Sequence, residues 1–356
     1  MYVSQPLPGV GGRLKAEPED FELREVPAYE PAGEGPHRYF EITKRDRTTR
    51  EVVEELAGAL GIPPGDIGYA GLKDRRALAT QRISLPAAAA GPEAGLEKVS
   101  GVLAYRSLGC HHNKLRRGHL LGNRFRIRIR DVVAAAPERA RAIQESLSRT
   151  GWPNFFGQQR FGRAADNAAA GREVLRTGRL RGPRWKRDLL LSAFQSELFN
   201  RVLKERIRRG DFLQILPGDL CARLPAGGMF AVESPQAELP RLKAFEISPT
   251  GPIFGYKMRC PQDAAWELER QVLEEEGLSL DSFRPARLPG SRRRLRLPLE
   301  EFQWEAQGSD LLVSFFLPGG SYATVLLEEF MKVGGSAPFA GGGPAISEAD
   351  VDDLGS

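Results

Sequence analysis

The chain has 356 residues, of which 41% are hydrophobic and 27% are charged, so it is long enough for about two globular domains with full hydrophobic cores. It contains no run of about 18 uncharged apolar residues, and residues 1–14 lack a basic region followed by an apolar run, so we expect neither a membrane span nor a signal peptide. The formal net charge of +5 indicates an anionic partner.

The cysteines do not predict a disulfide framework or a zinc site. Cys110, Cys221 and Cys260 are far apart, and none has a second cysteine at metal-ligand spacing. His111 and His112 follow Cys110, but adjacent residues of a strand point to opposite faces and no second ligand pair follows. We therefore expect no metal, and a reducing cytoplasm as the location.

The first part of the chain predicts two strands and then a helix. Residues 20–26 and 38–43 alternate between apolar and polar side chains, as half-buried strands do. Residues 48–51 have the Thr-x-x-Glu form of a capping box, and the apolar residues after them lie on one face of a helix that ends at Gly61.

A glycine-punctuated turn, residues 68–81, follows this helix and places one carboxylate among three cations. Lys73, Arg75 and Arg76 flank Asp74 in the sequence, so they keep Asp74 ionised and attract a polyanion. Two glycines of the turn permit a close approach to the backbone, so a substrate can lie against it. A solvated turn with a surface ion pair is the alternative.

Residues 80–85 and 102–108 predict further strands, so the Asp74 turn lies between sheet elements. Residues 86–101 are rich in alanine, and their pattern assigns no structure.

A basic segment follows, because residues 106–130 contain eight Lys or Arg residues and three histidines but no carboxylate. Such a segment is typical of a phosphate-binding surface. Residues 124–130 alternate arginine with Phe or Ile, which predicts a strand with Arg126 and Arg128 on one face and Phe125 on the other. The arginine face predicts an RNA contact, and a charged edge strand that resists aggregation is the alternative.

The middle of the chain predicts a helix over residues 137–147 and then a glycine-bounded loop over 153–162. In this loop, aromatic and amide side chains lie near Arg160, a combination that stacks on unpaired bases and hydrogen-bonds to their edges. Aromatic core packing at a domain boundary is the alternative. A long core helix is predicted over 189–203, and we place a second domain over 153–297.

Near the C-terminus, residues 311–316 predict a buried strand and 317–324 a glycine-rich helix opening. The N–H groups of such an opening suit a phosphate or a carbonyl, and capping by Ser321 is the alternative. From residue 334 onward, glycine, proline and acidic residues predict a disordered tail. The chain has neither a Gly-x-Gly-x-x-Gly after a strand nor a phosphate loop, so no nucleotide cofactor is indicated.

Seven motifs of this chain resemble, in the same order, those of TruD-type tRNA pseudouridine synthases. The sequence Gly-Leu-Lys-Asp-Arg-Arg at residues 71–76 is similar to the catalytic motif of that family. Together the motifs span nearly all of the chain except its tail, and they lie at residues 70–81, 19–21, 122–125, 154–162, 248–252, 290–293 and 317–324.

The resemblance implies an α+β pseudouridine synthase fold, in which flanking helices surround a mixed, mainly antiparallel sheet and an α/β TRUD domain is inserted. It divides the chain into a first catalytic part (1–152), the inserted domain (153–297), a second catalytic part (298–335) and the disordered tail (336–356).

The resemblance also implies the reaction, which is isomerisation of the uridine at position 13 in the D arm of certain tRNAs. The enzyme extrudes this uridine from the RNA stack, and Asp74 acts as the nucleophile that attacks the uracil ring or the ribose C1′. We therefore expect tRNA as the partner, no cofactor, and a monomer.

Matched position by position, Phe21, Asn123 and Tyr322 are similar to substrate-contact positions of the family, and some of its members have Phe in place of Tyr322. Phe125 matches the aromatic residue beside the target base, and Lys15 resembles the basic partner of the catalytic aspartate. One conflict is that Phe125 lies on the apolar face of its predicted strand, from which only a bulge or a strand end lets it reach a base.

We expect the RNA-binding surface to include Lys73, Arg75, Arg126, Arg128 and Arg160. Two other functions remain open. One is a non-catalytic RNA-binding or tRNA-folding module with the same basic and aromatic surface. The other is cofactor-dependent RNA methylation, which the missing nucleotide-binding loop disfavours.

Overall fold

The computed structural model describes residues 2–162, 164–179, 183–225 and 227–333. The predicted disordered tail, residues 336–356, lies outside these described residues. Among the described residues, no helix combines the length and the apolar character needed to cross a membrane.

The described residues form two compact units. The sheet unit contains Val10–Pro137, Glu300–Gly320 and residue 333. The helical unit contains residues 2–9, Glu138–Leu299 and Ser321–Lys332. The assignment of residues 153–297 as an inserted domain stays a prediction.

Each predicted strand and helix has a counterpart in the structure, with ends that differ by a few residues. Residues 86–101, which the pattern left unassigned, contain a short helix. The strands are β1 (Gly11–Arg13), β2 (Phe21–Pro27), β3 (His37–Arg45), β4 (Gly68–Tyr69), β5 (Leu78–Pro86), β6 (Val102–His111), β7 (Leu120–Val132), β8 (Trp152–Pro153), β9 (Leu220–Arg223), β10 (Met229–Ala231), β11 (Ile247–Ile253), β12 (Ser291–Arg294), β13 (Arg296–Leu297), β14 (Glu300–Gln307) and β15 (Asp310–Pro318). The helices are α1 (Thr49–Leu60), α2 (Pro92–Glu97), α3 (Ala136–Thr150), α4 (Asn167–Thr177), α5 (Arg184–Arg209), α6 (Pro235–Lys243), α7 (Asp263–Glu275) and α8 (Ala323–Met331).

The sheet unit is built on a nine-stranded sheet in the order β14-β15-β7-β2-β5-β3-β6, with β1 beside β7 and β4 beside β5. Strands β2 and β5 are parallel, and the other pairs of this sheet are antiparallel. The predicted mixed, mainly antiparallel sheet is confirmed. Strand β7 lies between β15 and β2, so the alternative of a charged edge strand is wrong.

Helix α1 covers the part of the sheet next to the Asp74 turn. Thr48 and Glu51 form the predicted capping box, in which the Thr48 hydroxyl accepts from the Glu51 N–H at 3.1 Å. The left-handed Gly61, with φ of 66°, ends the helix as predicted. The apolar face of α1 packs on Phe40 of β3 and Ile83 of β5. The first residue of the helix, Thr49, accepts from the N–H of Lys73, so α1 begins at the turn that carries Asp74.

The helical unit is organised by α5, the long core helix that the sequence predicted. Phe194, Leu198 and Val202 of α5 are buried against Phe254 and the apolar side of α7. The four-stranded sheet β10-β9-β11-β12 and the two-stranded sheet β13-β8 belong to the same unit.

Candidate active site

One face of the sheet in the sheet unit collects most of the residues that were predicted to surround Asp74. Strand residues alternate between faces, so Phe21 and Glu25 of β2 share a face with Asn123 and Phe125 of β7. Glu25 lies directly opposite Asn123, and Phe125 lies directly opposite Phe315 of β15. We call this surface the Phe125 face.

Asp74 is joined to the Phe125 face through Lys15. The Lys15 ammonium is 2.8 Å from Asp74 Oδ2 and 4.2 Å from the centroid of the Phe21 ring. The Lys15 side chain is 11% exposed, whereas that of Asp74 is 46% exposed. The carboxylate is therefore held by a cation on one side and remains accessible to a substrate.

Buried polar groups fix the backbone on which Asp74 stands. The ammonium of Lys44 is buried, and it donates to the carbonyl of Asp74 at 3.0 Å and to that of Lys73 at 3.4 Å. The Lys73 N–H donates to the Thr49 hydroxyl at 2.9 Å, and this hydroxyl donates to Gln81 Oε1 at 2.8 Å. Thr49 is the first residue of α1, so the capped helix directly positions the turn that carries Asp74.

The electrostatic field of the site keeps Asp74 ionised. Desolvation raises the pKa of Asp74, but the positive charges of Lys15, Lys44 and Lys73 outweigh it, and the pKa lies below its ordinary value. Burial lowers the pKa of Lys44 to about 8, although the charge of Asp74 opposes this shift. Asp74 is thus a carboxylate throughout the neutral pH range.

Four phenylalanines form a continuous row along the Phe125 face. The Phe125 ring is 5.9 Å from Phe21 in an edge arrangement and 5.3 Å from Phe315 in a stacked one, and Phe302 stacks on Phe315 at 6.0 Å. No register shift interrupts β7 at Phe125. The conflict over Phe125 is therefore resolved without a bulge, because the apolar face of β7 is the face that meets Lys15 and Asp74.

Asn123 lies two residues before Phe125 on the same face. Its side-chain Oδ1 is buried and has no hydrogen-bond partner among the described residues. Buried polar atoms are paired with protein groups or ordered water in most native structures, so Asn123 Oδ1 is an acceptor that no described protein group uses.

The two glycines of the turn differ in what they require. A Cβ on Gly68 would lie 2.3 Å from the carbonyl oxygen of Leu115, whereas one on Gly71 would have its nearest neighbour at 3.7 Å. Gly68 therefore serves a close approach between two segments of the protein and not contact with a substrate.

The predicted RNA contacts are not brought together at Asp74. Arg126 and Arg128 point to the face opposite Phe125, where Arg126 pairs with Glu22 at 3.4 Å and Arg128 with Asp310 at 3.5 Å. Their contact with RNA stays a prediction, and it concerns the other face of the sheet.

Lys73 and Arg75 lie beside Asp74 in the sequence but have other partners. The Lys73 ammonium forms an ion pair with Glu25 at 2.9 Å, and both side chains are at most 5% exposed. The prediction that Lys73 contacts RNA is therefore corrected, because its charge is buried and already compensated. Arg75 is 54% exposed and pairs with Glu51 at 3.2 Å.

The aromatic loop of residues 153–162 belongs to the helical unit, and there its partly buried Phe156 packs against the core. The Phe156 ring lies 5.4 Å from Phe199, while the guanidinium carbons of Arg293 and Arg160 lie 4.2 and 5.4 Å from its centroid. Arg160 also donates to the Ser196 hydroxyl at 3.0 Å. The alternative of aromatic core packing therefore holds for Phe156.

Tyr322 also belongs to the helical unit, where its ring is 5.9 Å from that of Phe156. Tyr322 is itself the N-cap residue of α8, and no side chain caps this helix within the described chain, so the proposed cap by Ser321 is wrong. The predicted contact of Tyr322 with the substrate stays a prediction.

Known proteins resemble this chain over nearly its whole length. The family model described as tRNA pseudouridine synthase D (TruD) matches residues 1–179 and 183–330. The chain belongs to this family. A protein named tRNA pseudouridine synthase D from Thermus thermophilus is 44% identical over 332 residues, which cover 93% of this chain and 92% of the relative. A protein of the same name from Anaeromyxobacter dehalogenans is 43% identical over 345 residues, which cover 95% of this chain and 98% of the relative.

The fold of the TruD family is also shared. A crystal structure of a candidate tRNA pseudouridine synthase D (TruD) from Methanosarcina mazei matches with a TM-score of 0.75 and 25% identity, over 94% of this chain and 96% of that one. The predicted pseudouridine synthase fold is thereby confirmed.

Two residues that build this TruD site were not singled out from the sequence. Lys44 occupies an inward position of β3, two residues after the buried Ile42, so the strand alternation contained the signal that a lysine is buried there. Glu25 lies on the buried face of β2 in the same way. Their partners, however, come from distant segments and are not visible in a local pattern.

We predict that Lys15→Met raises the pKa of Asp74, because it removes the ammonium that donates to the carboxylate at 2.8 Å. Since the wild-type pKa is depressed, the stability that this charge contributes is present at neutral pH and is lost only as the pH falls below about 3.9, the ordinary value. Titration of the Asp74 carboxyl carbon by NMR measures the shift. Lys15→Arg is the control and keeps the pKa low, and an equal pKa in all three proteins contradicts the assignment.

We predict that Lys73→Met lowers the free energy of unfolding by about 3–5 kcal/mol, because it leaves the buried Glu25 charge without its partner. The double variant Lys73→Met, Glu25→Gln recovers most of this loss, since it removes both charges and keeps the acceptor for the Arg82 N–H. Urea denaturation of the three proteins measures the effect. A double variant whose free energy of unfolding is no higher than that of Lys73→Met contradicts this prediction.

Proposed function

We propose that this chain converts the uridine at position 13 in the D arm of tRNA to pseudouridine, with Asp74 as the nucleophile and the base extruded from the RNA stack. As a member of the tRNA pseudouridine synthase D family, the chain is an isomerase that acts on tRNA uridine. The position in the tRNA and the role of Asp74 are the parts of this proposal that go further.

The observation that carries the proposal is the state of Asp74, an ionised carboxylate that is 46% exposed and held by a lysine above an aromatic ring. A nucleophile must be unprotonated and must reach the reacting carbon, and Asp74 meets both conditions. Lys15 contacts the carboxylate and Lys44 its backbone carbonyl, so a substrate approaches the exposed part of the side chain that these lysines leave accessible.

The proposed reaction needs no cofactor. Asp74 attacks C6 of the uracil or C1′ of the ribose, the bond between N1 and C1′ breaks, and the uracil turns while the site retains it. C5 then bonds to C1′, and the bond from Asp74 to C1′ or C6 breaks, which returns the Asp74 carboxylate. The C5 proton leaves and N1 takes up a proton, so atoms and charge balance. Covalent catalysis divides a difficult step into easier ones, and the turning base must be kept from water.

The Phe125 face suits the base that turns. Phe125 is the half-buried member of the row of phenylalanines, on the face where Lys15 contacts Phe21, and Asn123 Oδ1 two residues away is an acceptor without a partner among the described residues. We propose that Asn123 accepts the uracil N3–H and that Phe21 and Phe125 line the base pocket. Tyr322, Arg75, Arg126, Arg128 and Arg160 stay predicted substrate or RNA contacts, and a monomer in the cytoplasm is the proposed state.

The alternative of a non-catalytic tRNA-folding module shares the basic surfaces of this protein but does not need Asp74. The exposed carboxylate that Lys15 contacts, and that the charges of Lys44 and Lys73 help to keep ionised, favours the isomerase, because a folding module does not need an acid beside its RNA.

We predict that Asp74→Asn lowers pseudouridine formation in tRNA by more than about a thousandfold, the scale on which enzymes fail when their nucleophile is removed. Release of tritium from tRNA labelled at uridine C5 measures the rate, and mapping of pseudouridine in the product identifies the position. Asp66→Asn, at an exposed aspartate of the same unit, is the matched control and retains activity. Unchanged tritium release from Asp74→Asn excludes the proposed nucleophile, and product at a position other than 13 excludes the proposed target.

We predict that Asn123→Ala lowers kcat/KM by at least about tenfold, the worth of one hydrogen bond of about 1.4 kcal/mol. The free energy of unfolding changes by less than about 1 kcal/mol, because the Oδ1 that is removed has no partner in the free protein. Kinetics and urea denaturation of the same preparations measure both. The control is Asn113→Ala, at an exposed position of the same unit. A variant that is destabilised but fully active indicates a structural role for Asn123.

A further inference from the structure

A groove in the sheet unit, with a volume of about 590 Å³, has no part in the site around Asp74. It lies between α1 and the loop before β7, beside the first residues of the turn that carries Asp74. A volume of this size accepts a ligand as large as a nucleotide. We call it the Tyr69 groove, and its lining includes Arg50, Ile67, Tyr69, Lys114, Arg116 and Arg117.

The inner part of the Tyr69 groove is apolar and aromatic. Ile67 and Leu115 are buried there with at most 3% of their surface exposed. The Tyr69 ring is fixed by Arg117, which donates to its hydroxyl at 3.2 Å and whose guanidinium carbon lies 5.6 Å from the ring centroid. A fixed aromatic ring beside aliphatic side chains suits a ribose or a base.

The rim of the Tyr69 groove carries more positive charges than its one carboxylate, Glu54, neutralises. Glu54 is the one carboxylate of the lining, and it accepts from Arg50 at 2.7 Å. Lys114 donates to the neutral carbonyl of Gly65, and within the described part of the chain the exposed Arg116 side chain has no carboxylate partner. An RNA phosphate therefore meets cations whose charge is still available.

The arginines of β7, unlike Arg116, are paired with carboxylates of the described residues. Arg124 pairs with Glu301 at 2.7 Å, and Arg130 forms two hydrogen bonds of 2.8 Å with Asp20. The basic segment of residues 106–130 thus divides into a paired part on β7 and an unpaired part that includes Lys114 and Arg116. Counterion release favours the unpaired part as the phosphate site, because a cation already held by a carboxylate attracts a phosphate less.

The groove and Asp74 border the same short piece of chain. The Gly118 N–H donates to the Ala70 carbonyl at 2.9 Å, and Gly68 lies against the Leu115 carbonyl so closely that a side chain there would clash. Tyr69 and Asp74 are five positions apart in the sequence, and five residue steps span at most about 18 Å. An RNA strand with one nucleotide at Asp74 can therefore place a nearby phosphate in the groove.

We propose that the Tyr69 groove binds a phosphate of the substrate RNA through Arg116 and Lys114, with the attached ribose or base against Tyr69. This inference rests on the proposed function, because it takes the substrate at Asp74 to be RNA. It assigns to the groove the task of fixing the strand on one side of the extruded uridine.

The test measures how the binding of tRNA depends on salt. The tRNA carries cytidine in place of the target uridine, so that binding is observed without reaction. Binding weakens as the salt concentration rises. Each lost phosphate contact makes the plot of log Kobs against log salt concentration less steep by about 0.7–0.9. Arg116→Gln is expected to lower the slope by this amount, and Arg116→Lys, which keeps the charge, is expected to retain the wild-type slope.

The matched control is Arg38→Gln, which makes the same change in net charge at an arginine of β3 that pairs with Glu93 at 3.5 Å. It is expected to bind with the wild-type slope, and thermal unfolding confirms that each variant is folded. Equal slopes for Arg116→Gln and wild type overturn the groove as a phosphate site. Failure of the wild-type protein to form pseudouridine in unsubstituted tRNA overturns the proposed function instead, so the two failures are distinguished.

Discussion

The ion pair between Lys15 and Asp74 is the constraint on which the site depends. It holds a carboxylate ionised at a position where the carboxylate is also accessible, two conditions that usually oppose each other because desolvation favours the neutral acid. The surrounding structure serves this balance. Burial under the turn lowers the pKa of Lys44. The row of phenylalanines next to Lys15 shields one side of the ion pair from water.

The lysines near Asp74 have separate tasks that follow from their partners. Lys15 contacts the carboxylate, Lys44 holds the backbone carbonyl of the same residue, and Lys73 neutralises Glu25 below the turn. Only the first of these contacts the group that we propose to react. Lys44 and Lys73 fix the turn that positions this carboxylate, because a displacement of about 1 Å strongly slows the reaction of a nucleophile.

Cations elsewhere in the protein also differ in their partners. The arginines of β7 are joined to carboxylates, and in the helical unit the buried pair of Arg206 with Asp219, at 2.8 Å, stabilises the structure. In the aromatic loop, Arg293 covers Phe156, and burial lowers the pKa of this arginine to about 10. A basic composition therefore does not by itself locate the RNA, since the available charge depends on which cations remain unpaired.

The sequence alone determined the local elements and the identity of the site. The period of two fixed the faces of β7, the capping box fixed the start of α1, and the motif around Asp74 indicated the family and the residue that we propose as the nucleophile. Only the tertiary structure decided which face of β7 meets Asp74, which lysine contacts the acid, and that Lys73 is buried against Glu25. The physical reason is that alternation and capping act between residues a few positions apart. The pair of Lys15 with Asp74 joins residues 59 positions apart and exists only once the order and register of the strands are set.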